Sequence, residues 1–163
     1  MKTYNILFLC TGNSARSIIG EMLATSLSQG RFIGYSAGSQ PRPHPHPIAL
    51  ELAKQLDYPP EKLRSKSWDE FSKADAPQMD FIITVCDDAA GEVCPIWPGH
   101  PATAHWGFPD PASAQGNDEE IHHAFHQVEI GLRNRIELLL DLPIETLDHL
   151  SLKQELNHIH TKA

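Results

Sequence analysis

The sequence contains few cationic residues, few aromatic residues and no long apolar run. Lys and Arg number 13 against 21 Asp and Glu, which gives the 163-residue chain a formal net charge of −8. An acidic chain repels the phosphate backbone of nucleic acids and anionic membrane surfaces, so neither is an expected partner. The apolar run at residues 6–9 is too short for a signal peptide or a transmembrane helix, which predicts a cytoplasmic location.

Cysteine is also scarce, with three residues in the whole chain. In a cytoplasmic protein, three cysteines are more often reactive or ligating than part of a structural disulfide framework. Hydrophobic residues make up 40% of the chain and charged residues 21%, an ordinary composition for a globular domain. We expect one domain over residues 1–143, with residues 144–163 forming a helical extension packed on it.

Residues 10–17, with the sequence CTGNSARS, carry the clearest chemical pattern. They join an apolar strand pattern to a segment with helical spacing. Successive backbone N–H groups in such a turn converge on one point, and the N-terminus of the helix adds the positive end of its dipole. The turn therefore predicts an oxyanion cradle, in which an arginine fork binds two oxygens of a tetrahedral anion. The predicted substrate-binding residues are Thr11, Gly12, Asn13, Ser14, Ala15 and Arg16.

The same positive surroundings favour the thiolate of Cys10, which is the nucleophilic form of cysteine. Ser17 is placed to donate a hydrogen bond to the sulfur. Gly12 and Asn13 tolerate the positive φ that a tight anion-binding turn needs. The alternative is a buried structural cysteine beside an unrelated arginine. Small polar residues at nearly every position of the turn favour a catalytic nucleophile.

Strand and helix patterns alternate along the rest of the chain. Alternating units of this kind predict a three-layer α/β fold with a parallel sheet, whose ligands bind at the carboxyl ends of the strands. Proline at every second position of residues 41–47 predicts an irregular loop. Strands are predicted at residues 6–9, 31–38, 80–85 and 104–106. Helices are predicted at residues 17–28 and 48–56, from residue 67, and from a capping box at Asn117 and Glu120 to Pro143.

Cys86 and Cys94 form a second pattern. Cys86 ends the strand predicted at residues 80–85, so in a parallel sheet it shares an edge with Cys10. Residues eight apart on an intact helix stand ~12 Å apart, whereas a disulfide needs Cα atoms within about 7 Å. Pairing Cys86 with Cys94 thus requires the Ala- and Gly-rich segment between them to unwind. A redox relay is favoured over two buried cysteines, or over metal ligands helped by His100 or His105, because eight is a poor ligand spacing.

Asp110 is the best-placed carboxylic acid to protonate a leaving oxygen, because prolines on both sides stiffen its loop. The alternative is an ordinary turn aspartate before a proline. The chain has ten histidines, including His122 and His126 one turn apart in the predicted long helix. With no accompanying cysteine or carboxylate motif they favour a solvated face, and no metal site is predicted.

Residues 10–17, the cysteines before Pro95-Ile96-Trp97-Pro98-Gly99, and Asp110-Pro111 resemble arsenate reductases built on the low-molecular-weight phosphotyrosine phosphatase fold. The likeness extends over about residues 4–142, with the three motifs in the same order. It implies a three-layer α/β/α fold with a four-stranded parallel sheet. It also implies a cytoplasmic enzyme of arsenical resistance. We expect this enzyme to be a monomer and to need no cofactor.

The resemblance also implies a mechanism. Cys10 attacks arsenate held by the loop and Arg16, while Asp110 protonates the departing oxygen. Cys86 then attacks the Cys10 sulfur and releases arsenite, and Cys94 attacks Cys86 to leave a redox-active Cys86–Cys94 disulfide. Thioredoxin or a glutaredoxin/glutathione system is the expected reductant.

Some relatives bind potassium near the loop, where Asn13, Glu21 and Ser36 look similar. We expect Lys66 to take the place of the ion, so no cation is required.

Two other functions fit parts of the pattern. A low-molecular-weight protein tyrosine phosphatase would use the same Cys10, Arg16 and Asp110, but Ala112-Ser113 offers no aromatic wall for a substrate ring. A non-enzymatic thiol sensor for arsenite or a soft metal would use the cysteines and leave the loop residues without a role.

Overall fold

The computed structural model describes residues 2–87 and 101–162. Within them, parallel strands alternate with helices, as the sequence pattern predicts. The strands are β1 (Tyr4–Cys10), β2 (Phe32–Gly38), β3 (Phe81–Thr84) and β4 (Ala102–His105). The helices are α1 (Arg16–Leu27), α2 (Pro47–Gln55), α3 (Asp118–Leu140) and α4 (His149–Lys162). Short 3-10 turns are found at Pro60–Lys62, Trp68–Phe71, Pro111–Ser113 and Ile144–Thr146.

The four strands form one sheet in the order β2-β1-β3-β4, and all three pairings are parallel. The chain therefore crosses in opposite directions from β1 to β2 and from β2 to β3. A parallel sheet opens a crevice at the carboxyl ends of its strands where the order reverses in this way. Cys10 is the last residue of β1, and the fold puts it at the mouth of that crevice.

The two faces of β1 enter different parts of the core because strand side chains alternate. Ile6 and Phe8 are fully buried in the large cluster that includes the apolar residues of α1 to α4. Leu7 and Leu9 are fully buried in a smaller cluster on the other face, together with Ile82. The 3-10 turn at Trp68–Phe71 covers that second face, where the sequence predicted the start of a helix.

Helix α3 begins as the capping pattern predicted. The Asn117 side chain accepts from the backbone of Glu120, and the Glu120 side chain accepts from the backbone of Asn117. Helix α4 packs against β4, and its Leu156 and Ile159 are buried in the large cluster. The indole of Trp106 donates to the Leu156 carbonyl oxygen at 2.9 Å, which ties the end of the sheet to α4. No helix in the described residues is long and apolar enough to cross a membrane.

Candidate active site

The loop between β1 and α1 is held by hydrogen bonds to all of its carbonyl groups from residue 10 to residue 14. Four of them accept backbone N–H groups of the neighbouring segment, at 2.9–3.2 Å; these donors are Ser39, Gln40, Arg42 and His46. The Asn13 carbonyl accepts from the Ser65 hydroxyl at 2.6 Å. In a trans peptide the N–H points opposite to the carbonyl. Carbonyls tied outward therefore turn the N–H groups of residues 11–15 toward the inside of the loop.

This arrangement gives the proline-rich segment a purpose that the sequence did not reveal. Proline has no N–H, so alternating prolines at positions 41, 43, 45 and 47 leave donors only at the even positions between them. Arg42 and His46 use those donors on the loop carbonyls of Gly12 and Ser14.

The tight approach of the loop also depends on Gly38 at the end of β2. A Cβ atom at Gly38 would lie 2.4 Å from the Thr11 carbonyl oxygen. Asn13 adopts the positive φ expected in the turn, at 47°.

The Cys10 thiol is buried and hydrogen-bonded from two sides. Its Sγ lies 2.9 Å from the Ser17 hydroxyl and accepts the Asn13 backbone N–H at 3.2 Å. Ser17 Oγ accepts the Asn13 side-chain amide at 2.7 Å, so the single hydroxyl proton is left to point at the sulfur. The structure thus brings the Ser17 hydroxyl to the Cys10 sulfur, as the sequence predicted.

Lys66 fixes the orientation of the Asn13 side chain. The Lys66 backbone N–H donates to Asn13 Oδ1 at 2.9 Å, which leaves the amide NH₂ of Asn13 to face Ser17. The Lys66 ammonium lies 3.5 Å from the same oxygen. A chain of hydrogen bonds therefore runs from Lys66 through Asn13 and Ser17 to the Cys10 sulfur.

The Lys66 ammonium also faces a buried carboxylate, Glu21, at 4.0 Å. Glu21 accepts hydrogen bonds from Ser36 at 2.6 Å and Tyr58 at 2.8 Å. Burial raises the pKa of Glu21, and the positive charge of Lys66 acts against that rise. Burial lowers the pKa of Lys66, and Glu21 acts in the opposite direction. Lys66 thus lies beside Glu21, Ser36 and Asn13, the position in which the resemblance led us to expect it.

Arg16 is the first residue of α1, and its side chain is 3% exposed. Its guanidinium donates to the Phe108 carbonyl at 3.0 Å and lies 4.0 Å from Asp110 Oδ2. The N-cap residue Ala15 has no side chain able to cap the helix. The helix N-terminus and Arg16 therefore place positive charge beside the inward-facing amides, which suits a tetrahedral oxyanion.

Asp110 lies at this mouth, with its side chain 25% exposed. Its two oxygens accept from the Ala112 backbone at 3.0 Å and the Ser113 hydroxyl at 3.1 Å. These bonds fix the carboxyl group while leaving an edge open to solvent. The structure therefore brings Asp110 to the same site as Cys10 and Arg16, from a position about 100 residues later in the chain.

Arg42 is a further member of the site, which the sequence did not indicate. Its guanidinium lies 3.5 Å from Asp110 Oδ2, and its side chain packs on Gly12, where an added Cβ would lie 3.1 Å from Arg42 Nε. A single arginine among prolines carries no recognisable pattern, so only the fold reveals it.

Cys86 follows β3 at the same edge of the sheet. Leu9 of β1 pairs with Thr84 of β3. Cys10 comes one residue after Leu9 and Cys86 two residues after Thr84, so both cysteines lie at the same edge of the sheet. Both cysteines are buried; Cys10 is free and Cys86 is disulfide-bonded. Gly107 lets the chain pass close by, since a Cβ there would lie 3.1 Å from the Cys86 carbonyl. Cys94 and His100 lie outside the described residues.

Two histidines of α3 lie beside carboxylates, which the sequence did not indicate. His122 lies 3.1 Å from Glu51 of α2, and His126 lies 3.6 Å from Glu129. Bonds to Asp118 and Glu51 raise the pKa of His122. Over residues 2–87 and 101–162, no three His, Cys, Asp or Glu side chains form a group that could hold a metal ion.

Comparison with known proteins agrees with this geometry. The family model described as "Low molecular weight phosphotyrosine protein phosphatase" matches residues 5–149. The arsenate reductase of Oceanobacillus iheyensis is 35% identical over 133 residues, which cover 82% of this chain and 92% of that protein. The arsenate reductase of Bacillus subtilis is 35% identical over 136 residues, covering 83% and 94%.

A solved structure shows the same fold. The crystal structure of an arsenate reductase from Archaeoglobus fulgidus matches with a TM-score of 0.61 at 20% sequence identity. The match covers 81% of this chain and 98% of that one. The four-stranded parallel sheet with its flanking helices is thus a fold that this chain shares with a known protein.

Proposed function

The chain belongs to the low molecular weight phosphotyrosine protein phosphatase family, and on that premise we propose that it is an arsenate reductase. Relatives named arsenate reductase match most of the chain at 35% identity. The observation that carries the proposal is a second cysteine, Cys86, at the sheet edge beside Cys10. A phosphatase needs one nucleophile, whereas reduction of arsenate needs two electrons from a pair of thiols.

In the first step the Cys10 thiolate attacks the arsenic of arsenate and displaces one oxygen. The inward-facing amides of residues 11–15 and the Arg16 guanidinium bind the other oxygens and the charge that builds on them. Asp110 gives a proton to the departing oxygen, which leaves as water or hydroxide. Hydrogen bonds from Ser17 and Asn13 hold the Cys10 sulfur in place for the attack.

The second step transfers the electrons. The Cys86 thiolate attacks the Cys10 sulfur, and the electron pair of the sulfur–arsenic bond stays with arsenic, which leaves as arsenite. A Cys10–Cys86 disulfide remains. Cys94 then attacks Cys86 and frees Cys10. A free Cys10 beside a disulfide-bonded Cys86 is the distribution of oxidation that such a relay leaves.

An external dithiol closes the cycle, and its chemistry fits thioredoxin or a glutaredoxin/glutathione system. The enzyme needs no metal or cofactor for the reduction, because sulfur carries both electrons. We expect it to work as a cytoplasmic monomer. The Lys66 ammonium, 4.0 Å from Glu21, supplies positive charge there, which supports an enzyme that requires no added cation.

The test is a single-turnover reaction of the reduced protein with arsenate in the absence of any reductant. We expect one arsenite per protein and a Cys86–Cys94 disulfide on peptide mapping. The Cys94→Ser variant should stop at a Cys10–Cys86 disulfide after one turnover.

Three free thiols without arsenite, together with rapid hydrolysis of para-nitrophenyl phosphate, would overturn the proposal in favour of a phosphatase. Arg16→Lys separates the enzyme from a thiol sensor. Lysine keeps the charge but loses the fork, so arsenate turnover should fall by orders of magnitude while thiol binding of arsenite is retained.

A further inference from the structure

Two arginines approach one oxygen of Asp110 from different sides. Arg16 reaches Asp110 Oδ2 at 4.0 Å from the buried side, and Arg42 reaches it at 3.5 Å from the exposed side. The Arg16 side chain is 3% exposed and the Arg42 side chain 47%. The mechanism gives Arg16 a role and leaves Arg42 without one.

Gly12 contacts both the backbone and the side chain of Arg42. Its backbone N–H donates to the Gly12 carbonyl at 2.9 Å, and the middle of its side chain packs on Gly12. Prolines precede and follow it, which restricts the backbone. The guanidinium is therefore held above the loop, beside the acid.

The direction of the Cys10 attack determines which oxygen of the bound anion lies beside the Arg42 guanidinium. The sulfur of Cys10 attacks from the bottom of the loop, so the leaving oxygen must point the opposite way, toward Asp110 and Arg42. In a free oxyanion this outer oxygen carries a proton or a charge. In a phosphate monoester it carries the organic group, which would have to occupy the space beside Arg42.

We propose that Arg42 is a specificity-determining residue that selects free tetrahedral oxyanions over phosphate monoesters. Its guanidinium donates to the outer oxygen of the bound anion, and its side chain takes the rim where an ester's organic group would lie. This inference rests on the proposed function for the identity of the anion, arsenate. The selection itself also applies to inorganic phosphate, which has the same shape and charge.

The experiment measures binding without turnover. In a Cys10→Ser background, inorganic phosphate and phenyl phosphate are titrated by NMR at about pH 8, where both are largely dianions. Arg42→Met should weaken phosphate binding by about tenfold or more, the usual effect of losing a charged hydrogen bond. It should change phenyl phosphate binding by less than about twofold. Arg42→Lys should recover part of the phosphate affinity.

Arg133→Met is the matched control, because Arg133 is also a partly exposed arginine paired with a carboxylate, at 3.2 Å from Glu129. It should leave both affinities unchanged. An equal loss for the two ligands in Arg42→Met, no loss, or no phosphate binding to the Cys10→Ser protein would overturn the inference. Failure of the unaltered enzyme to produce arsenite would refute the proposed function and leave the binding ratio intact.

Discussion

Replacing Lys66 by Met tests the buried charge pair beneath the loop. The change removes the ammonium and keeps the length of the side chain, so Glu21 stays buried and loses its nearest cation at 4.0 Å. Two unit charges at this distance attract by about 4 kcal/mol at an effective dielectric constant near 20. Breaking a buried pair by removing one partner typically costs about 3–5 kcal/mol. The two values agree, and we expect a loss in this range.

The assay is urea denaturation followed by tryptophan fluorescence at neutral pH. Lys62→Met removes an exposed lysine nearby and should change the free energy of unfolding by less than about 0.5 kcal/mol. The double variant Lys66→Met/Glu21→Gln should recover most of the loss, because a neutral amide can keep partners at Ser36 and Tyr58. A loss below about 1 kcal/mol, or no recovery in the double variant, would refute the reasoning.

The loss of stability in Lys66→Met should increase as the pH rises. Burial raises the pKa of Glu21, and removing Lys66 removes the group that opposes this rise. A folded carboxyl with a raised pKa holds a proton that the unfolded chain releases. Relative to the unaltered protein, Lys66→Met should therefore be least destabilised below about pH 4, where the unfolded carboxyl is protonated. Its deficit should grow as the pH rises toward the folded pKa of Glu21.

Three further predictions concern the loop and the end of the sheet. Ser17→Ala removes a hydrogen bond to the Cys10 sulfur at 2.9 Å, so alkylation of Cys10 by iodoacetamide at neutral pH should slow by about tenfold; an unchanged rate would show that the hydroxyl does not assist. Gly38→Ala places a Cβ 2.4 Å from the Thr11 carbonyl oxygen. Because that oxygen belongs to the backbone and not to a flexible side chain, the loop must shift, and phosphate binding should fall at least about tenfold while the circular dichroism spectrum is unchanged. Normal phosphate affinity would contradict this. Trp106→Phe loses the bond to the Leu156 carbonyl and should cost about 1–3 kcal/mol in thermal unfolding; an unchanged melting temperature would mean that the contact contributes nothing.

The local parts of this fold could be predicted because their causes are local. The strand before Cys10, the turn at Gly12 and Asn13 and the start of α1 at Arg16 follow from residues within one short segment. The capping box at Asn117 depends on two side chains three residues apart.

The missed features depend on residues far apart in the sequence. Arg42 and Asp110 are 68 residues apart, and His122 and Glu51 are 71 apart. No pattern within a window of sequence can bring such pairs together. Lys66 was placed near the loop only through a resemblance, and its two contacts with Asn13 came from the structure. The segment at Trp68–Phe71 has helical composition but is a 3-10 turn of four residues.

The outward-tied carbonyls of residues 10–14 determine the cost of capturing an anion. Their peptide groups are already oriented before any ligand arrives. The conformational entropy of the loop is therefore lost when the protein folds and not when the anion binds. An incoming oxyanion then loses its hydration and its translational freedom, but the loop needs no further ordering. Capture should be fast, with a rate constant set by diffusion and by the local field instead of by a loop rearrangement. Because phosphate has the same shape and charge as arsenate, a preformed loop should bind both anions, and phosphate should compete for the site.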